Sequence, residues 1–155
     1  MDNVRLHEEL NGYFIEDLSV GMSAVFAKTI TEADIVMFSG VTGDMNPVHV
    51  NEEFAKDSIF KGRIAHGMLT ASLISTVLGM KMPGPGCIYL SQDLKFLAPV
   101  RAGDTVSARA IITDIIPEKK RIVCKTTASV GEKLVCDGQA KMMVRSRAEE
   151  EAAKG

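Results

Sequence analysis

The sequence predicts an α+β fold in which an antiparallel sheet curls around one buried helix. Two observations carry this. From Ala65 to Leu78 the apolar residues Met68, Leu69, Leu73, Ile74, Val77 and Leu78 recur at helical spacing, following Ile64, with only Gly, Ala, Ser, Thr and His66 between them. A helix with no charge on any face is expected to be buried nearly all round. The chain after it divides into four strand-like runs with turn residues between them, the pattern of an antiparallel sheet.

Composition bounds the problem. At 155 residues the chain is long enough for one domain with a real core, expected to span about 13–145 and to be followed by a charged tail over 145–155. Hydrophobic residues at 46% and charged residues at 25% are ordinary globular usage, which argues against disorder. A net charge of −2 argues against a nucleic-acid partner, which calls for a basic surplus. The longest charge-free apolar run, His66 to Met80, is short of the roughly 20 residues of a membrane span. Cys87, Cys124 and Cys136 are too few and too scattered for a disulfide framework or a zinc site. The N-terminal MDNVRLHEEL is polar and has no signal-like apolar stretch. These features predict a reduced, cytoplasmic protein.

In chain order, the first dozen residues read as a loose arm, and Met22 to Ile30 as a strand. Thr31 with Asp34 three residues on forms a capping-box pattern that opens a short helix through Phe38. A loop follows, and Asn51 can cap a helical piece over Glu52 to Lys56. Gly79 is placed to end the buried helix. The later strands are expected over 87–96, 104–115, 121–130 and 133–144, with turns at Gly103-Asp104, Pro117 to Lys120 and Gly131-Glu132. In the last strand Cys136, Gly138, Ala140 and Met142 alternate with Asp137, Gln139 and Lys141, so one face is buried and the other wet. The last eleven residues, RSRAEEEAAKG, lack an apolar stripe and read as a frayed helical tail.

The candidate chemistry lies in the loop GDMNPVHVN, Gly43 to Asn51, and at the start of the buried helix. Pro47 keeps Asp44 and His49 off successive turns of one helix, so a bent loop must place them. Taken alone, Asp-x-Asn-Pro is most simply an Asx-type turn. His7 and His66 are most simply structural residues, and Ser75 and Thr76 can bond back to their own helix. Metal binding by Asp44, Asn46 and His49 is a weak signal, and no metal is expected. Gly67 raises the functional reading. It lies in the first helical turn, whose N–H groups lack internal partners, and without a side chain it lets a substrate oxygen approach. A carboxylate, an imidazole and such a donor together suit proton transfer beside a carbonyl.

The run from Phe38 to His49, with HGMLTASLISTVLG (His66 to Gly79) and MPGPGCIYLSQDLKFLAPVRAGDTV (Met82 to Val106), resembles the MaoC-like (R)-specific enoyl-CoA hydratases, which have the hotdog fold. The resemblance implies Asp44 and His49 as the catalytic pair and the Gly67 backbone N–H as oxyanion donor. It implies Ser75 as a support of the active-site loop, with Asn46 and Pro47 shaping that loop. The implied reaction adds water to a trans-2-enoyl-CoA of short to medium chain to give the (R)-3-hydroxyacyl-CoA. The acyl-CoA is substrate, no cofactor is needed, and a homodimer or dimer of dimers would manage the sheet's free edge. His66 is expected to matter less than His49. An acyl-CoA thioesterase is the rival, but the central helix contains no Asp or Glu. A carrier-protein dehydratase would show a His-x-x-Gly loop with a separate helix Glu. A non-catalytic acyl-CoA-binding subunit would be expected to have lost one of the two ionisable residues.

Overall fold

The computed structural model describes residues 10–154. The strands are β1 (Ser23–Thr29), β2 (Ile88–Phe96), β3 (Thr105–Ile116), β4 (Arg121–Val130) and β5 (Lys133–Met143). The helices are α1 (Glu32–Thr42), α2 (Pro47–Val50), α3 (Glu52–Ala55), α4 (Gly67–Met80) and α5 (Arg147–Lys154). All strand pairs are antiparallel and the sheet order is β1-β3-β4-β5-β2, so β1 and β2 are its edges. Helix α4 packs against β1, β3, β4 and β5, which is the hotdog arrangement.

The core follows from period-two patterning. Val106, Ala108, Ala110 and Ile112 of β3 and Ile122, Cys124, Thr126 and Ala128 of β4 are buried on one face. Ala108 pairs with Ala128, and Ala110 with Thr126, so small side chains meet and leave room for the helix. Into that room α4 brings Ile74, Val77 and Leu78, all fully buried, each contributing roughly 1.5–3 kcal/mol through burial. Thr126, the one polar group in this layer, accepts from Gln92 Nε2 at 2.9 Å.

Three expectations need correction. Helix α1 runs past Phe38 to Thr42, because nothing breaks it before Gly43, which takes a left-handed φ of 78°. Helix α4 continues through Gly79, and the Lys81 N–H still bonds to the Val77 carbonyl at 3.0 Å. One interior glycine costs only about 1 kcal/mol, so the stop is left to Pro83, which pushes Met82 away from helical geometry. Nor is α4 buried all round: Met68, Ser72 and Ser75, at i, i+4 and i+7, form an exposed stripe, with Met80 beyond it. A bulge also interrupts β5, where Ser129 pairs with Leu134 and Ala128 with Cys136. Val135 is thus left without a partner and turns inward.

At the chain's start, residues 1–9 of the expected arm, including His7, lie outside the described residues. From there the chain is fastened: Gly12 N–H donates to the Pro85 carbonyl, Tyr13 N–H to that of Pro83 and Ile15 N–H to that of Arg145. The C-terminal segment is helical as expected but is tied down. Arg147 reaches both oxygens of Asp17 at 2.6 and 2.7 Å, and Glu16 accepts from Ser146 Oγ and from the Arg147 and Ala148 N–H groups. The Ser146 hydroxyl, with the two backbone donors, holds the Glu16 carboxyl down at about 2, against the opposing effect of desolvation. Arg147 likewise lowers Asp17.

Both carboxylates titrate lower in the folded protein, so their stabilisation is present above the ordinary values of 4.5 and 3.8. It is lost as pH falls through the folded values, about 2 for Glu16. Acidification through that window should release α5 before the sheet opens. Amide exchange should then show Arg147 and Ala148 losing protection first, and Glu16→Ala should produce the same local loss at neutral pH.

Candidate functional site

Three short segments build the site. Thr31 opens α1 by accepting from the Asp34 N–H at 3.2 Å, while Asp34 accepts from the Thr31 N–H at 2.8 Å. At the other end, Gly43 N–H bonds back to the Ser39 carbonyl. Thr42 Oγ1 donates to the Phe38 carbonyl at 2.7 Å and accepts from the Asp44 N–H at 3.1 Å. Asn46 then caps α2, with Pro47 at the first helical position, where a missing N–H costs nothing. Asn51 closes α2 and caps α3 by accepting from the Phe54 N–H at 3.1 Å.

Asp44 is held at three points. Its N–H donates to Thr42, its Oδ1 accepts from the Asn46 N–H at 3.1 Å, and its carbonyl accepts from His66 Nε2 at 3.0 Å. The other carboxylate oxygen makes no hydrogen bond among the described residues.

His49 is 8% exposed, and its Nδ1 lies 2.9 Å from the Ile64 carbonyl. A carbonyl can only accept, so Nδ1 carries the proton and Nε2 keeps its lone pair. Ile64 also donates its N–H to the Val48 carbonyl at 3.1 Å, which fastens the two segments twice over. By the same reasoning His66 carries its proton on Nε2. Ser39 Oγ is 3.2 Å from that nitrogen, and Nδ1 is buried without a partner among the described residues. The two imidazole rings lie face over face, with centroids 3.9 Å apart and planes tilted by 30°.

Gly67 begins α4, and its N–H has no backbone acceptor among the described residues. Asp44, His49 and Gly67 all line one cavity of about 400 Å³. Phe60, Ile64, Met68, Phe96, Leu97 and Val100 make its walls apolar. A Cβ on Gly67 would lie 2.9 Å from two ring carbons of Phe96, so the ring packs where a side chain would otherwise be.

The other expected residues fall differently. Asn46 sits in the turn as a cap and as the donor to Asp44. Ser75 is exposed on the open stripe of α4, outside the cavity lining, and makes no side-chain hydrogen bond among the described residues. Arg101 is a contributor the sequence did not reveal. Its guanidinium donates to the Arg63 carbonyl at 3.0 Å and to the Phe60 carbonyl, holding the segment that leads to Ile64. A long-range bond from an arginine to main-chain carbonyls leaves no pattern in a sequence. Arg63 pairs with Glu32 of α1 and Glu52 of α3, tying those helices together.

Asp44, His49 and His66 also offer one metal-ligand atom each within 4.8 Å of one another. Each imidazole gives one nitrogen to a carbonyl and keeps the other for chemistry.

The chain has relatives among known proteins. The profile of the MaoC-like domain matches residues 19–134. The chain is 51% identical over 140 residues to the (R)-specific enoyl-CoA hydratase of Rhodospirillum rubrum, covering 90% of this chain and 97% of that one. It is 46% identical over 141 residues to the 3-hydroxybutyryl-CoA dehydratase of Methylorubrum extorquens, covering 91% and 90%. An R-hydratase of Pseudomonas aeruginosa, solved in its unliganded form, superposes with a TM-score of 0.82 at 38% identity over 88% of each chain.

Gly67→Ala should push the Phe96 ring off the cavity wall and lower stability by about 1–3 kcal/mol, the usual cost of overpacking. In a Phe96→Ala background the same substitution should cost much less. A double-mutant cycle of thermal melts reads the difference.

Proposed function

The chain belongs to the MaoC-like domain family, and from that membership we propose that it is an (R)-specific enoyl-CoA hydratase acting on short to medium trans-2-enoyl-CoA. The observation that carries this reading is the bare Nε2 of His49 in one cavity with the Asp44 carboxylate and the Gly67 N–H. In the substrate the double bond is conjugated to the thioester carbonyl, which makes C3 electrophilic. His49 Nε2 takes a proton from water as its oxygen bonds to C3, and the free oxygen of Asp44 holds the same water. The electron pair of the double bond moves towards the carbonyl, where the Gly67 N–H stabilises the oxyanion, a contribution of about 3 kcal/mol. The pair then returns a proton to C2 on the same face and the carbonyl re-forms.

No cofactor is assigned, because adding water changes no net oxidation state and the CoA is part of the substrate. Among the described residues no helix is long and apolar enough to cross a membrane. We place the enzyme in the cytoplasm, where its three cysteines stay thiols. Burial pushes the Cys124 thiol up to about 12 and raises Cys87 and Cys136 as well, so none is poised to react.

A homodimer is the proposed assembly. Edge strand β2 carries Ile88, Tyr89, Leu90 and Phe96, which are 38–53% exposed, and an apolar open edge invites a second copy. Light scattering should give at least twice the 16.8 kDa chain mass, and Leu90→Lys should shift the protein towards monomer. A wild-type protein that stays at the chain mass at micromolar concentration would remove this assembly.

Asp44→Asn retains an oxygen for the Asn46 N–H, and His49→Ala removes the base. Each should slow crotonyl-CoA hydration by at least ~10²-fold in a protein that circular dichroism shows to be folded. The double variant should be little slower than either single, since two groups handling one water act as a unit. A thiol reagent run alongside separates hydration from thioester cleavage, because only cleavage releases free CoA. Near-normal turnover by either single variant defeats the assignment.

A further inference from the structure

We propose that His66 is a positioning residue that fixes the spacing between Asp44 and His49, an inference that rests on the hydratase reading above. One imidazole touches both members of the pair. Its Nε2–H donates to the Asp44 carbonyl at 3.0 Å, and its ring face lies 3.9 Å from that of His49. Phe38 packs against the same ring, with centroids 4.9 Å apart, and Ser39 Oγ stands 3.2 Å from Nε2. His66 and Ser39 are each 2% exposed, and His66 borders the cavity that holds the pair.

The buried Nδ1 without a partner points the same way. A position needed only for packing would favour an apolar side chain, which leaves no polar atom unmatched in the core. What an apolar residue cannot supply is a donor to Asp44 on a flat ring that also seats His49. Two anchors on one rigid ring make the Asp44-to-His49 distance a property of His66 rather than of a flexible loop. Proton transfer depends on that distance, and a misplacement of about 1 Å can cost on the order of 10²-fold in rate. The ring face offered to His49 is that of the Nε2–H tautomer, against which the imidazolium formed at His49 can rest during turnover.

Two substitutions separate the roles. His66→Phe keeps the ring face and loses the donor, whereas His66→Gln keeps an N–H at nearly the reach of Nε2 and loses the ring. In folded protein, His66→Phe should lower kcat for crotonyl-CoA hydration by roughly 10- to 10²-fold with KM little changed. His66→Gln, which gives up the other anchor, should also lower kcat with KM little changed. A folded enzyme of either variant with wild-type kcat overturns the proposal. The tautomer is read independently, on unaltered protein, from imidazole 15N shifts. His66 should show a pyrrole-type Nε2 and a pyridine-type Nδ1, and the opposite assignment overturns the proposal even where variants fail to fold. Assaying Asp44→Asn and His49→Ala in parallel keeps the two readings apart. If those variants stay active, the catalytic assignment fails and this one with it; if they are inactive while His66→Phe is normal, only the positioning role fails.

Discussion

The hydrogen bond from His49 Nδ1 to the Ile64 carbonyl is the constraint on which the site depends. It decides which nitrogen of the ring is bare, and it does so with a main-chain acceptor that cannot change its own protonation. Ile64 is fixed in turn by its N–H bond to Val48 and by the grip of Arg101 on the carbonyls of Phe60 and Arg63. Next in sequence, the Ala65 N–H bonds to the Val100 carbonyl at 2.7 Å, which joins this segment to the chain leaving β2. The orientation of one imidazole is therefore inherited from the sheet through main-chain bonds. As the proposed base, it would be set before substrate arrives and would need little reorganisation in the reaction.

The fold was legible because its elements obey simple periods. The charge-free run over α4, the alternation in β5, and Thr31 with Asp34 at the start of α1 all announced themselves locally. What escaped depends on neighbours. The end of α4 is set by Pro83 rather than by Gly79, and the bulge that turns Val135 inward exists only in the pairing of β4 with β5. The docked C-terminal helix depends on Glu16 and Asp17, about 130 residues earlier in the chain. The site shows the same division. Asp44, His49 and Gly67 stand in short motifs and meet in one cavity. His66 and Arg101 reach it through bonds to distant main-chain atoms, and Ser39 through the His66 side chain, contacts that no spacing reveals.

The exposed stripe of α4 and the apolar edge of β2 belong to one problem. A single sheet can cover only part of a helix, and its last strand keeps a row of unpaired N–H and C=O groups. Met68 is on that stripe and Phe96 is on that edge, and both also line the cavity. Covering the open surfaces with a second copy would therefore also narrow the cavity. It would place whatever faces Ser75 close to the substrate channel. Ser75 makes no side-chain hydrogen bond among the described residues.

The turn and the site are not alternative explanations of the loop. Asp44 makes the Asx turn by giving Oδ1 to the Asn46 N–H, and that bond leaves one carboxylate oxygen committed and one free. Asn46 in turn caps α2, which carries His49 three residues on. Pro47 starts that helix where no N–H is missed and prevents it from merging with α1. Each feature that makes the segment a turn also removes a freedom from Asp44 or His49. A flexible loop could bring the same two side chains to the cavity, but it would then spend binding energy to align them. Here the local hydrogen bonds of the turn meet that cost during folding, which fits the proton-transfer role proposed for the two side chains.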